Sequence, residues 1–160
     1  FRESFRPFAP SILEDDLQEW FDFKNSSPYM LFVADVKKNK HLELNKENYD
    51  DVGLSKLYQK RSIIPAVTHV DYSARIQTVS KKHNKIFHKL LTNFKKLTNC
   101  PILLNTSFNI RGEPIVCYPS DAFRCFMGTG LDVLVIGNFI MKKEKQNKDL
   151  IIDYKKNYFD

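Results

Sequence analysis

Apolar and polar positions alternate along this chain with a period that changes from segment to segment. Phe5 to Leu13 is an apolar stretch held extended by Pro7 and Pro10. Glu14 to Phe23 predicts a short helix, with acidic residues in its first turn where the helix dipole favours them. Tyr29 to Val36 is a nearly continuous apolar run, as expected of a strand in the middle of a sheet covered on both faces. Lys37 to Ser62 is polar and Lys-rich, a surface excursion with one helical turn near Leu54 to Tyr58.

Val67 to Val79 returns to strand-like alternation, clearest from Ala74 to Val79. Ser80 is the candidate N-cap of the strongest helix, whose stripe Ile86, Leu90, Phe94 and Leu97 is widened by Phe87 and Leu91. Asn99 and Pro101 stop that helix, and Pro101 to Leu104 predicts a short buried strand. A second helix is expected from about Ser120 to Met127, ending at Gly128, and Leu131 to Ile136 a further core strand. The order β-α-β, long loop, β-α-β-α-β indicates an α/β domain with a twisted, mostly mixed β-sheet flanked by helices. Residues 144–160 predict a polar, Lys-rich tail or an added strand.

Composition narrows the class. A chain of 160 residues, 42% hydrophobic and 13% aromatic, suits one globular domain. No apolar stretch approaches the roughly 18 residues that span a bilayer, which excludes a membrane-spanning helix and favours the cytoplasm. The opening Phe-Arg-Glu lacks an initiator Met and an apolar run, and reads as a cut edge within a longer protein rather than a secretory signal. Cys100, Cys117 and Cys125 form no C-x-x-C pair and are expected to be reduced thiols. The net charge of +6 raises the question of nucleic acid, but the lysines stand among acids, as on ordinary solvated surface.

Three clusters have the residue types for chemistry. They are Arg2 to Arg6, Thr68 to Arg75 with His69 inside it, and Asn105-Thr106-Ser107-Phe108-Asn109-Ile110-Arg111-Gly112-Glu113 after a buried strand. Ligands in open α/β sheets bind beyond the carboxyl ends of strands, and guanidinium forks match phosphate and carboxylate oxygens. Each cluster also has a plainer reading. Arg2 and Arg6 fit a frayed end, His69 a hydrogen-bonded loop, Asn105 and Asn109 a turn, and Arg111 with Glu113 a local ion pair. Phosphate-loop, nucleophile-elbow and paired metal-ligand motifs are absent, so any ATP would not sit in a Walker-type cradle.

Six blocks in order carry a resemblance. They are Phe5-Arg6-Pro7-Phe8-Ala9-Pro10-Ser11, Ser27-Pro28-Tyr29-Met30, Ile64 to Asp71, Ser73 to Val79, Leu103 to Val116 and Gly137-Asn138-Phe139. Together they resemble the C-terminal part of the NodU/CmcH-type O-carbamoyltransferases, which modify nodulation factors and antibiotics, over residues 1–143. The resemblance implies a YrdC-like domain that binds carbamoyl phosphate and ATP with Mg²⁺ and forms carbamoyl-adenylate. An N-terminal Kae1-like domain, in cis and absent from these residues, would bind its own metal and transfer the carbamoyl group to a hydroxyl. Natural-product biosynthesis is the implied setting, and the fragment alone is not expected to carbamoylate an acceptor.

The family's Ser-x-Asn ligand pair matches Ser107-Phe108-Asn109, and Arg2 fits the Arg of its Lys-x-Arg pair, whose Lys would precede Phe1. On this pattern Arg75, Ser107 and Asn109 are the expected catalytic set, with Arg2, Arg6, His69, Asn105, Thr106 and Arg111 binding substrate and no metal ligands. Phosphate would leave, and the retained carbamate would attack the α-phosphorus of ATP and expel pyrophosphate. Residues 37–62 look longer than the family's usual connection, as an insertion would. Two rivals remain open at this level: an RNA-binding YrdC-like module, and a non-catalytic scaffold.

Overall fold

The computed structural model describes residues 7–44, 53–110 and 112–151. They divide into two units at the Thr106–Ser107 boundary. In the first, β1 (Ala9–Leu13), β2 (Phe32–Asp35), β3 (Ser73–Val79) and β4 (Ile102–Asn105) form one sheet in the order β2-β3-β1-β4. β1 lies parallel to β3, with Ser11 opposite Gln77 and Leu13 opposite Val79. It is antiparallel to β4, with Ser11 opposite Leu103 and Ala9 opposite Asn105. β2 runs antiparallel to β3 and sets Val33 opposite Arg75. This is the mixed α/β sheet that the alternation predicts.

The pleat sends alternate side chains to opposite faces, and the two faces differ in kind. One carries Ile12, Ala34, Ala74, Ile76 and Ile102, which join Leu17, Trp20, Phe21 and Val36 in the main core. Burying each such isoleucine contributes roughly 1.5–3 kcal/mol. The other face is covered at one end, where Leu13 and Val79 pack with Leu91 of α2 (Lys85–Thr98), assisted by Phe87 and Leu103. Beyond that end it is mixed, with Ser11, Ser73, Arg75, Gln77 and Asn105 beside buried Ala9 and exposed Val33.

Four local expectations need correction. The run from Tyr29 to Val36 supplies an edge strand, not a central one, and in β2 only Ala34 is buried. An edge strand has one unpaired side and here also one uncovered face, so an apolar run is no guarantee of burial. The segment from Glu14 is a 3-10 turn followed by a single helical turn, α1 (Leu17–Trp20). Phe21 then turns extended to bridge Val36 and fill the core. The cap of α2 is Asn84, which accepts from the Phe87 amide at 3.0 Å, while Ser80 accepts from the His83 amide in the preceding turn.

The fourth concerns which face of α2 is buried. Leu91 is 0% exposed, whereas Ile86, Leu90 and Leu97 are 85%, 55% and 86% exposed. The helix has two apolar stripes, and the gap above Leu13 and Val79 takes the one led by Leu91. Asn99 ends the helix in the left-handed conformation at φ 59°, a role Asn fills at low cost.

The second unit holds α3 (Pro119–Gly128) and a hairpin of β5 (Val133–Ile136) and β6 (Phe139–Lys142). Gly137-Asn138 forms the two-residue turn, with Gly137 at φ 55° as such tight turns require. Asp121 caps α3 by accepting from the Tyr118 amide at 3.1 Å. Ala122, Phe126, Met127 and Leu134 form the core, so only Leu134 of the expected core strand is buried. Past β6 the chain makes 3-10 turns at Lys143–Lys145 and Lys148–Leu150, and the end of the tail lies outside the described residues. Among the described residues no helix is long and apolar enough to cross a membrane. All three cysteines are free.

Candidate functional site

Ser73, Arg75, Gln77 and Val79 occupy alternate positions of β3 and so share the partly uncovered face of the sheet. Val79 lies beneath α2, and the polar three extend away from it. At Gln77 the neighbouring strands add Ser11 and Asn105. Gln77 Oε1 accepts from Ser11 Oγ at 2.6 Å and from Asn105 Nδ2 at 2.7 Å, and Asn105 Nδ2 also reaches Ser11 Oγ at 3.2 Å. Gln77 Nε2 donates to the Pro28 carbonyl at 3.2 Å, which fixes the amide's orientation. Ser11 is fully buried beneath the pair, with its hydroxyl satisfied.

Four residues back along β3, at Ser73, a second cluster forms. Ser73 Oγ donates to Asp71 Oδ1 at 2.6 Å and, having spent its proton there, accepts from His69 Nδ1 at 2.9 Å. The His69 amide also donates to the Ser73 carbonyl at 2.7 Å. Burial pushes the His69 imidazole below its ordinary pKa against the opposing pull of Asp71, and the nearby Arg75 guanidinium lowers it further. Hydrogen bonds from Ser73 hold the Asp71 carboxyl below its ordinary range. Tyr72, between them, sits at φ 65° and stacks on His41 with ring centroids 4.3 Å apart.

Arg75 stands between these clusters, roughly 6–7 Å along the strand from each. It is exposed, and among the described residues its guanidinium makes no hydrogen bond or ion pair. A rigid fork of donors left open beside fixed amides and hydroxyls is suited to an oxyanion.

A hollow of about 700 Å³ opens elsewhere in this unit, lined by Glu19, Asp22, Asp35, Asp71, Lys37, Lys38, His41 and Tyr72 among others. Four carboxylates against two lysines make it unfavourable for a phosphate, and Arg75 does not line it. The hollow therefore adjoins the Ser73 cluster through Asp71, while Arg75 stands outside it.

In the second unit the Ser107–Asn109 loop is built around Asn109, whose Nδ2 donates to the carbonyls of Ile110 and Glu113 at 3.2 and 2.9 Å. The Val116 amide closes the loop onto the Phe108 carbonyl at 3.0 Å, and Ile110 is buried against Cys125. Ser107 is exposed at the loop's start. Asn109 thus shapes the turn with its amide nitrogen, as the plainer reading of that residue expects.

Of the residues singled out in the sequence, His69, Arg75 and Asn105 fall on one sheet face or its edge, with exposed Thr106 directly following Asn105. Arg2, Arg6 and Arg111 lie outside the described residues. Ser11 and Gln77 fall in none of the three sequence clusters, and Asp71 and Ser73 lie in the Thr68–Arg75 cluster without an assigned role. The available signal was polar side chains at every second position of a strand whose intervening residues are apolar.

A family model described as "Carbamoyltransferase C-terminus" matches residues 1–143. An uncharacterized protein of Synechocystis is 53% identical over 91% of this chain and 24% of its own length. Nodulation protein NolO of Bradyrhizobium diazoefficiens is 43% identical over 89% of this chain and 23% of its own. Nodulation protein NolNO of Sinorhizobium fredii is 42% identical over 89% and 18%. The chain spans a quarter or less of the length of these relatives.

Proposed function

This chain belongs to the carbamoyltransferase C-terminus family, and from that premise we propose that it is the carbamoyl-activating part of a longer, ATP-dependent O-carbamoyltransferase. The observation that carries the reading is Arg75: an exposed guanidinium without a partner among the described residues, set between the Gln77 and Ser73 clusters on one face of the sheet.

In this reading Arg75 neutralises the phosphoryl group of carbamoyl phosphate. Gln77 and Ser11 hold the Asn105 amide in place at the carboxyl end of β4, where it and Thr106 meet the ligand. His69, kept neutral near pH 7 by burial, adds a hydrogen-bonding ring nitrogen without a competing charge. The family's Ser-x-Asn pattern further assigns ligand binding to Ser107 and Asn109, and the sequence clusters offer Arg2, Arg6 and Arg111 as further cations.

Water cleaves carbamoyl phosphate to carbamate and phosphate. A carbamate oxygen then bonds to the α-phosphorus of ATP as the bond to pyrophosphate breaks. No side chain acts as a nucleophile; the protein contributes positioning and charge stabilisation. The open donor on the face is the Arg75 guanidinium, which suits anionic oxygens and not a bare cation, so Mg²⁺ would come bound to the nucleotide. The carbamoyl-adenylate is consumed by a transfer domain N-terminal to these residues, where the acceptor hydroxyl is chosen.

The test is carbamoyl-phosphate-dependent exchange of pyrophosphate into ATP by the complete protein. Arg75→Ala and Ser107→Ala are each expected to lower exchange about 100-fold or more, the usual scale for removing a charge-stabilising donor. Near-wild-type exchange in both variants removes these residues from the chemistry.

A further inference from the structure

We propose that the outer face of α2 is the surface on which the remainder of the polypeptide, outside these 160 residues, docks. Ile86, Leu90 and Leu97 are 85%, 55% and 86% exposed. At 3.6 residues per turn they fall within about 40° of one another around the helix and span about 16 Å of its length. Single exposed aliphatics are ordinary, but three aligned on one helix form a patch of the kind that marks an interaction site. Lys85, Lys89 and Lys96 form a parallel exposed row beside them, and the helix contains no Asp or Glu. The complementary surface is apolar at its centre and acidic along one edge.

The occupant follows from length and charge. The matched relatives extend far beyond the segment shared with this chain, which is 24%, 23% and 18% of them. Most of their surface therefore has no counterpart here. A second copy is a poorer occupant: two such helices meeting antiparallel through the stripe would set both lysine rows on the same side, like charge beside like. RNA would use the lysines but leave the aliphatic side chains without function, because bases stack on aromatic rings and guanidinium planes. The proposal rests on the reading of this chain as part of a longer carbamoyltransferase, and it concerns only which surface joins the parts.

The experiment compares maleimide labelling of Leu97→Cys in the 160-residue chain and in the complete polypeptide, both with Cys100→Ser and Cys117→Ser. Labelling at least about tenfold slower in the complete polypeptide is the expected result, since a docked face reacts only on opening. Equal rates overturn the proposal while leaving the carbamoyltransferase reading intact. A complete polypeptide with no segment beyond these residues overturns both. As an independent measurement, Ile86→Glu with Leu97→Glu should leave the 160-residue chain folded by circular dichroism but expose the complete polypeptide to limited proteolysis between its parts. Unchanged protease resistance counts against docking here. Dimerisation of the 160-residue chain, or its binding to an RNA duplex, also overturns the proposal if Leu97→Glu abolishes it.

Discussion

Asn105 Nδ2 and Gln77 Oε1 meet at 2.7 Å although their strands, β4 and β3, lie on opposite sides of β1 and do not pair. The two side chains bridge over β1 and close above Ser11, whose hydroxyl also donates to Gln77. An amide that spans three strands is held more firmly than one in a loop, and it fixes the face on which Arg75 stands.

Gln77→Leu is expected to cost about 1–3 kcal/mol, because it leaves the Ser11 hydroxyl buried without its acceptor and the Pro28 carbonyl without its donor. Ser11→Ala removes one hydroxyl but leaves the Asn105–Gln77 bond, and should cost about 1 kcal/mol. Urea unfolding of the two variants checks the order.

His69 sets a pH dependence. Its folded pKa lies below the ordinary 6.5, so as pH falls the unfolded chain takes up the proton first. Its contribution is intact above pH 6.5 and is lost as pH drops from there through the lowered folded value. Asp71 acts in a separate, more acidic window: its folded pKa is below 3.8, and the stability it adds is lost only as pH falls through that lower value. NMR titration should find the His69 imidazole titrating below 6.5, and moving upward in Arg75→Ala as the neighbouring positive charge is removed. An unmoved midpoint would contradict the closeness of the two groups.

Tyr72 holds a left-handed backbone at φ 65°, where a side chain costs roughly 1–2 kcal/mol. Tyr72→Gly and Tyr72→Ala both lose the stack on His41, but only alanine keeps the strain. The glycine variant should therefore be the more stable of the two by about 1 kcal/mol. Thermal unfolding of the pair tests this without reference to the wild type.

The two stripes of α2 make opposite predictions. Leu91→Ala should cost about 2–5 kcal/mol, as for a fully buried leucine. Leu97→Ala should change the stability of the 160-residue chain by less than about 0.5 kcal/mol. Chemical denaturation of both variants decides which stripe faces the sheet.

By itself the amino-acid order determined the features that neighbouring residues settle. These include the alternation of Ser73 to Val79, the extended Ala9 to Leu13, the Asn99 helix stop and the ordered blocks of the carbamoyltransferase family. Only the tertiary structure decided which apolar stripe of α2 is buried, that the Tyr29 to Val36 run ends at a sheet edge, and that Ser11, Gln77 and Asn105 meet. Periodicity reports that a segment has an apolar face, but burial depends on what the rest of the chain brings to cover it. The hydrogen bonds around Gln77 join positions 28 to 94 residues apart, and their existence depends on strand register, which no local pattern records.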